Sequence, residues 1–260
     1  MWEGVCLALS GGMEQTTFIT VAAVFFVAGF VKGVTGMGLP TVAMGALGAL
    51  LSPLTAATLL LVPSFVTNIW QLLAGPRFAA LLLLMWPMMA TIVIGTLAGS
   101  TLLVGGSSEG TTIALGFALA IYSAYTLLVR QHRVPSHWQP WLSPLVGLAT
   151  GVVTGATGVF VIPAVPYLQA LGLAKDELVQ ALGLSFTIST VALGIALLCH
   201  GTLPVSALTT SALAVIPALI GMAAGQALRA RISQPAFRRG FFFCLLLMGL
   251  EMALRPLLSP

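Results

Sequence analysis

Two glycine-rich interruptions of otherwise apolar sequence hold the residues best suited to chemistry. The first runs Gly29-Phe-Val-Lys32-Gly33-Val-Thr35-Gly36-Met-Gly38-Leu-Pro40. The second runs Gly147-Leu-Ala-Thr150-Gly151-Val-Val-Thr154-Gly155-Ala-Thr157-Gly158, with Pro163 soon after. Glycine and proline at this density break helices. A helix that restarts inside a membrane presents unpaired N–H groups and a partial positive charge, which suits an anion. Glycine lets that backbone approach a ligand, and threonine adds a hydroxyl donor. The expected ligand contacts are therefore Thr35, Gly36, Gly38, Thr154, Gly155, Thr157 and Gly158. Lys32 is the one charge inside the first interruption. A charge at the centre of a bilayer costs roughly 3 kcal/mol or more and tends to be functional there. Contact with an anion and snorkelling to an interface are the two readings of it.

A second tier of polar residues lies downstream in each half. Ser64, Thr67, Asn68 and Gln71 recur at three- and four-residue spacing, hence on one helical face, and Ser185 and Ser189 do likewise, with Thr187 and Thr190 slightly aside. Pore lining and plain hydrogen bonding between helices are the competing roles. Other chemistry finds no footing. Cys6, Cys199 and Cys244 lack metal-ligand spacing, and no nucleophile has a base in reach, so no enzyme, metal site or cofactor is expected. His200 reads as interfacial, Asp176 and Glu177 as acids at a helix start, and Glu251 as the i, i+4 partner of Arg255. No acid pair falls in mid-membrane, so the coupling ion stays unspecified.

The elements that carry these residues must be membrane-spanning. Hydrophobic residues make up 58% and charged residues 6% of 260, and a soluble domain carries about a quarter charged residues. The net charge of +4 is spread over ten basic residues that stand between apolar runs, a pattern of cytoplasmic loops rather than of nucleic-acid binding. Glu3 and Glu14 stand where a secretory signal would be basic, so the N-terminal apolar run reads as a retained span. Full-length spans are expected at 54–75, 79–104, 111–129, 178–199, 204–227 and 239–256. The interrupted regions, 17–51 and 141–172, read as two shorter helices each.

The halves echo one another at an offset near 120 residues. Gly29 and Gly33 align with Gly147 and Gly151, Thr35-Gly36 with Thr154-Gly155, and Ser64 with Ser185, which puts Thr150 in the place of Lys32. Gly95-x-x-x-Gly99 answers Gly221-x-x-x-Gly225, each a small-residue face for close helix approach. Arg77, Arg130, Arg133, Arg229, Arg231, Arg238 and Arg239 mark inside loops, and the loop at Glu109 has no base and belongs outside. These assignments agree only if each half crosses an odd number of times. The expected architecture is all-α and polytopic, with two inverted repeats, each a broken hairpin plus three spans. Residues 1–130 form the first repeat, 131–140 a cytoplasmic linker anchored by Trp138 and Trp141, and 141–260 the second, with both termini outside. Paired broken segments of this kind point to a transporter binding site.

A half that begins Gly-x-x-x-Gly-x-x-x-Gly, then a glycine-rich turn and proline, resembles the TauE/SafE family, also called toluene-sulfonate uptake permeases. So does the downstream Ala181-x-Gly183-x-Ser185, and the second half matches best, with Gly155-Ala-Thr-Gly158, Pro163 and Leu171-Gly172-Leu173 in order. The chain departs from the family's Gly-Gly-Gly run, having Met37-Gly38-Leu39 and Thr157-Gly158-Val159. The resemblance covers about residues 20 to 256. It implies an inner- or plasma-membrane transporter of small sulfur-containing or carboxylated anions such as sulfite, sulfonates or sulfoacetate, with many members exporting. The expected partners are that anion and the lipid bilayer, with no nucleic acid; assembly into a homo-oligomer is left open. A passive anion channel and a non-transporting membrane scaffold are the rival readings.

Overall fold

The apolar runs fold into helices. The computed structural model describes residues 15–128, 133–229, 231 and 233–258, with no strand among them. Cys6, Glu3, Glu14 and Arg130 fall outside the described residues. The first interrupted segment becomes α1 (Gln15–Thr35) and α2 (Leu39–Leu50), followed by α3 (Pro53–Leu73), α4 (Phe78–Gly105) and α5 (Ser108–Leu128). The second becomes α6 (Gln139–Thr157) and the short α7 (Ala164–Ala170), followed by α8 (Lys175–Cys199), α9 (Val205–Leu213), α10 (Val215–Leu228) and α11 (Gln234–Leu258). Among the described residues, six helical stretches are long and apolar enough to cross a membrane. Leu83, Trp86, Ile94 and Trp141 stand exposed on the outside, a surface that lipid and not water solvates.

Local chemistry explains two irregularities. The span expected at 204–227 is interrupted at Ala214. Pro217 lacks the N–H that the Leu213 carbonyl would receive, and its ring crowds that carbonyl. Pro63, by contrast, leaves α3 continuous. The Leu59 carbonyl it deprives is met by the Ser211 hydroxyl of α9 at 2.8 Å, and the same Oγ accepts from the Val62 N–H at 3.1 Å. At the start of α8, Glu177 accepts from the Ala174 N–H and from Arg77 at 2.7 Å, the helix-start role expected of it.

Helix packing crosses between the halves. Gly29 lies against Ala218 and Gly33 against Met222 and Gly225, so α1 and α10 run in the same direction. Gly147, Gly151 and Gly155 lie against Met88, Ile92 and Thr96, so α6 and α4 do too. Along the α3–α8 contact, Gly183 meets the Gln71–Leu72 backbone while Gly194 faces Leu61, which makes that pair antiparallel. The α5–α11 pair is antiparallel as well, through Gly116 against Gly249 and Ala253.

These seams correct the internal alignment. Gly33 faces Gly225 as Gly155 faces Gly99. Thr35 and Thr157 make matching bonds, each donating to the carbonyl four residues back and accepting from the N–H two residues on. By these contacts Thr35-Gly36 matches Thr157-Gly158, one helical turn beyond the sequence alignment, and Thr154 rather than Thr150 matches Lys32. Glycines at i, i+4 in both halves allow either register on paper, and the partner helix decides between them.

Candidate functional site

The chain concentrates polar side chains where α1, α3 and α8 meet. Lys32 is 2% exposed. Its Nζ donates to Thr67 Oγ1 at 3.0 Å and to Asn68 Oδ1 at 2.5 Å. Asn68 Nδ2 in turn reaches Thr190 Oγ1 of α8 at 3.4 Å. Lys32 therefore does not snorkel; it is held inside the bundle. Thr67 can present its lone pairs inward because its own proton goes to the Pro63 carbonyl at 2.7 Å. That carbonyl belongs to Pro63 itself, so the proline inside α3 also supplies the acceptor that orients Thr67.

The remaining polar groups on these helices include donors and an acceptor left without partners. Ser64, Ser185 and Ser189 hydroxyls and Gln71 Oε1 are buried with no hydrogen-bond partner among the described residues. A buried polar atom without a partner costs on the order of 1–3 kcal/mol, so such a cluster marks a place where something else binds. An ammonium carries three donors, and protein acceptors meet two of them here. No carboxylate among the described residues lies within ion-pair distance of Lys32; the ion pairs are Arg77–Glu177 and Glu251–Arg255. A buried ammonium whose protein partners are both neutral has the electrostatics that suit an anion.

Of the residues expected to bind ligand, Lys32, Ser64, Asn68, Gln71, Ser185 and Ser189 are buried on the three helices that form this crossing. The glycine turns are placed differently. Gln71 Nε2 donates to the Gly36 carbonyl at 2.6 Å, which puts the first break at the far end of α3. Gly158 packs against Met44 and Ala57, near the other end. From Ala57 to Gln71 along a helix is about 21 Å, so the two breaks flank the crossing and do not converge on one point. Thr35, Thr154 and Thr157 donate to the Val31, Thr150 and Val153 carbonyls of their own helices. A threonine inside a helix finds the carbonyl four residues back within reach, and near a helix end that carbonyl has few other donors. Gly155 is a packing glycine in the seam with α4. Gly36, at φ 81° with open space where a side chain would go, and Gly38, at φ 110°, shape the first turn, and the Gly36 N–H donates to the Lys32 carbonyl at 2.7 Å.

Sequence reasoning did not find the cavity beside that turn. It has a volume of about 530 Å³ and is bounded by the ends of α1, α5 and α11, with Thr35, Gly38, Tyr122, Tyr125, Arg238 and Arg239 among its lining. Arg238 and Arg239 stand there some two hundred residues from Lys32, and only the fold brings them to the same turn.

Comparison with known proteins fits this geometry. Neither the curated proteins nor the solved structures gave a match. A family model described as "Sulfite exporter TauE/SafE" matches residues 21–252, from the first turns of α1 to the last turns of α11. Its members are multi-pass membrane transporters and not enzymes, which agrees with the six apolar spans and with a buried cation at the centre of the fold. The chain belongs to the sulfite exporter TauE/SafE family.

Proposed function

We propose that the protein is a secondary transporter that carries one small sulfur-containing or carboxylated anion at a time out of the cell. The observation that carries this reading is Lys32, buried and bonded to two neutral acceptors on α3, where α3 and α8 also bury serine hydroxyls without partners. A sulfite or sulfonate group offers acceptors to the third ammonium proton and to Ser64, Ser185 and Ser189 at once, which relieves several unsatisfied groups with a single ligand. Access alternates by rocking of the α1–α10 and α4–α6 units about the α3–α8 crossing. The halves are inverted repeats in a plasma or inner membrane. Support comes from the helix directions: α3–α8 and α5–α11 join corresponding elements antiparallel, as a two-fold axis in the membrane plane requires. The arginine-bearing end is cytoplasmic and both termini are outside, in keeping with the placement of Arg77, Arg133, Arg238 and Arg239.

Counterflow in proteoliposomes tests the reading. Liposomes preloaded with unlabelled sulfite should accumulate labelled sulfite transiently above equilibrium. Equal fluxes with and without internal sulfite would mean a channel, and no sulfite-dependent flux at all would mean that this chain does not carry that anion.

A further inference from the structure

The cavity at the end of α1 is separated from Lys32 by the first break. Its wall includes Val34, Thr35, Met37 and Gly38, whereas Lys32 lies one turn further back and is bonded into α3. Gln71 Nε2 of α3 donates to the Gly36 carbonyl at 2.6 Å, and neither residue lines the cavity. On the opposite side the cavity carries Arg238 and Arg239, and no carboxylate is among its lining residues. Arg238 Cζ lies 5.8 Å from the centroid of the Phe242 ring, a cation–π contact that fixes the guanidinium beside the cavity. Phe242 is itself set at 5.2 Å from Tyr122 and 5.0 Å from Phe241, ring centroid to ring centroid. One wall is thus an aromatic cluster and an edge of it is doubly cationic.

We infer that this cavity is a second anion site, a receiving station ahead of Lys32, whose ligand is an oxyanion that carries an apolar carbon group. The arginine forks take the acid group, since a planar guanidinium pairs two of its N–H donors with two oxygens. Tyr125, Phe241 and the edge of Tyr122 take the carbon group. Size supports the second half of this statement. Water occupies about 30 Å³ in the liquid, so a bare oxyanion of four heavy atoms would fill a small part of about 530 Å³. The Lys32 site reads charge, and the cavity reads what the charge is attached to. The inference rests on the proposed transport function only for the cavity's place on the route; binding there stands or falls by itself.

Equilibrium binding to the full chain purified in detergent tests it, with benzenesulfonate and sulfite as probes. Benzenesulfonate should bind wild type and Lys32→Gln with the same Kd. Arg238→Gln with Arg239→Gln should weaken it tenfold or more, and Tyr125→Ala should weaken benzenesulfonate several-fold while leaving sulfite unchanged. Because the glutamine pair also removes two charges that orient the chain, Arg238→Lys with Arg239→Lys is measured beside it. The lysine pair keeps the charge and loses the fork, and should weaken benzenesulfonate at least threefold. Wild-type Kd values in either arginine pair overturn the inference. Loss of benzenesulfonate binding in Lys32→Gln equal to that in the arginine pairs also overturns it, since there would then be one site and not two. Absence of counterflow in a protein that keeps arginine-dependent binding would instead refute the transport reading and leave this site intact.

Discussion

Lys32 joins the sequence to the chemistry through two neutral neighbours, Thr67 and Asn68. If its ammonium meets the transported anion, Lys32→Gln should weaken apparent affinity by about 1.5–3 kcal/mol, tenfold or more in half-saturation. Lys32→Arg keeps the charge, but a planar fork does not fit a place built for a point charge, so recovery should be partial. Transport over a substrate range at matched membrane levels measures both, and equal half-saturation for all three proteins would remove Lys32 from the site. The lysine was legible in the sequence because a lone charge inside an apolar run is expensive wherever it ends up. Ser64, Asn68 and Gln71 were legible for a similar reason, polar groups at one-face spacing within a span. Ser211 was not, because nothing local distinguishes a buried serine that bonds its own helix from one that bonds another. The threonines of the breaks bond carbonyls of their own helices, which their spacing in the sequence does not reveal.

At the scale of elements, the proline inside α3 is accommodated by a partner from another helix. Pro63 removes the donor that Leu59 would have, and Ser211 of α9 replaces it while accepting from Val62. Ser211→Ala should leave a buried carbonyl and N–H unpaired and cost about 1–3 kcal/mol, read as a fall in Tm of the purified protein. In a Pro63→Ala background the intrahelical bond returns, so the same serine change should cost much less. Additive Tm shifts in that double-mutant cycle would show that the two residues do not act on one carbonyl. The helices themselves were readable from apolar length and from glycine and proline. The interruption at Ala214 was not expected, although Pro217 signals it, because a proline in the first turns of a helix and one in its middle look alike without a partner helix. Nor was the register between halves, since repeated glycines at fourfold spacing align equally well one turn apart.

On the scale of the whole molecule, one end gathers Arg77, Arg133, Arg238 and Arg239, and Glu109 stands at the start of α5, whose other end meets the arginine cavity. In a background without the native thiols, Ser107→Cys should react with a membrane-impermeant maleimide added outside, and Ser136→Cys only after permeabilisation. Labelling of Ser107→Cys from the cytoplasmic face alone would overturn the proposed orientation. The odd crossing number of each half was inferred from charges alone, and the helix directions at the seams supply an independent argument for it. Those directions carry a further consequence for how such a chain could arise. Antiparallel contact between like elements is what two copies of one half-length ancestor would make with each other in a symmetric pair. Such a pair would bring two ammonium groups to the same crossing, one from each copy, and their mutual repulsion would oppose closure around a single anion. In this chain Thr154 holds the position that the seam contacts match to Lys32, so a single ammonium stands at the crossing and that repulsion is absent.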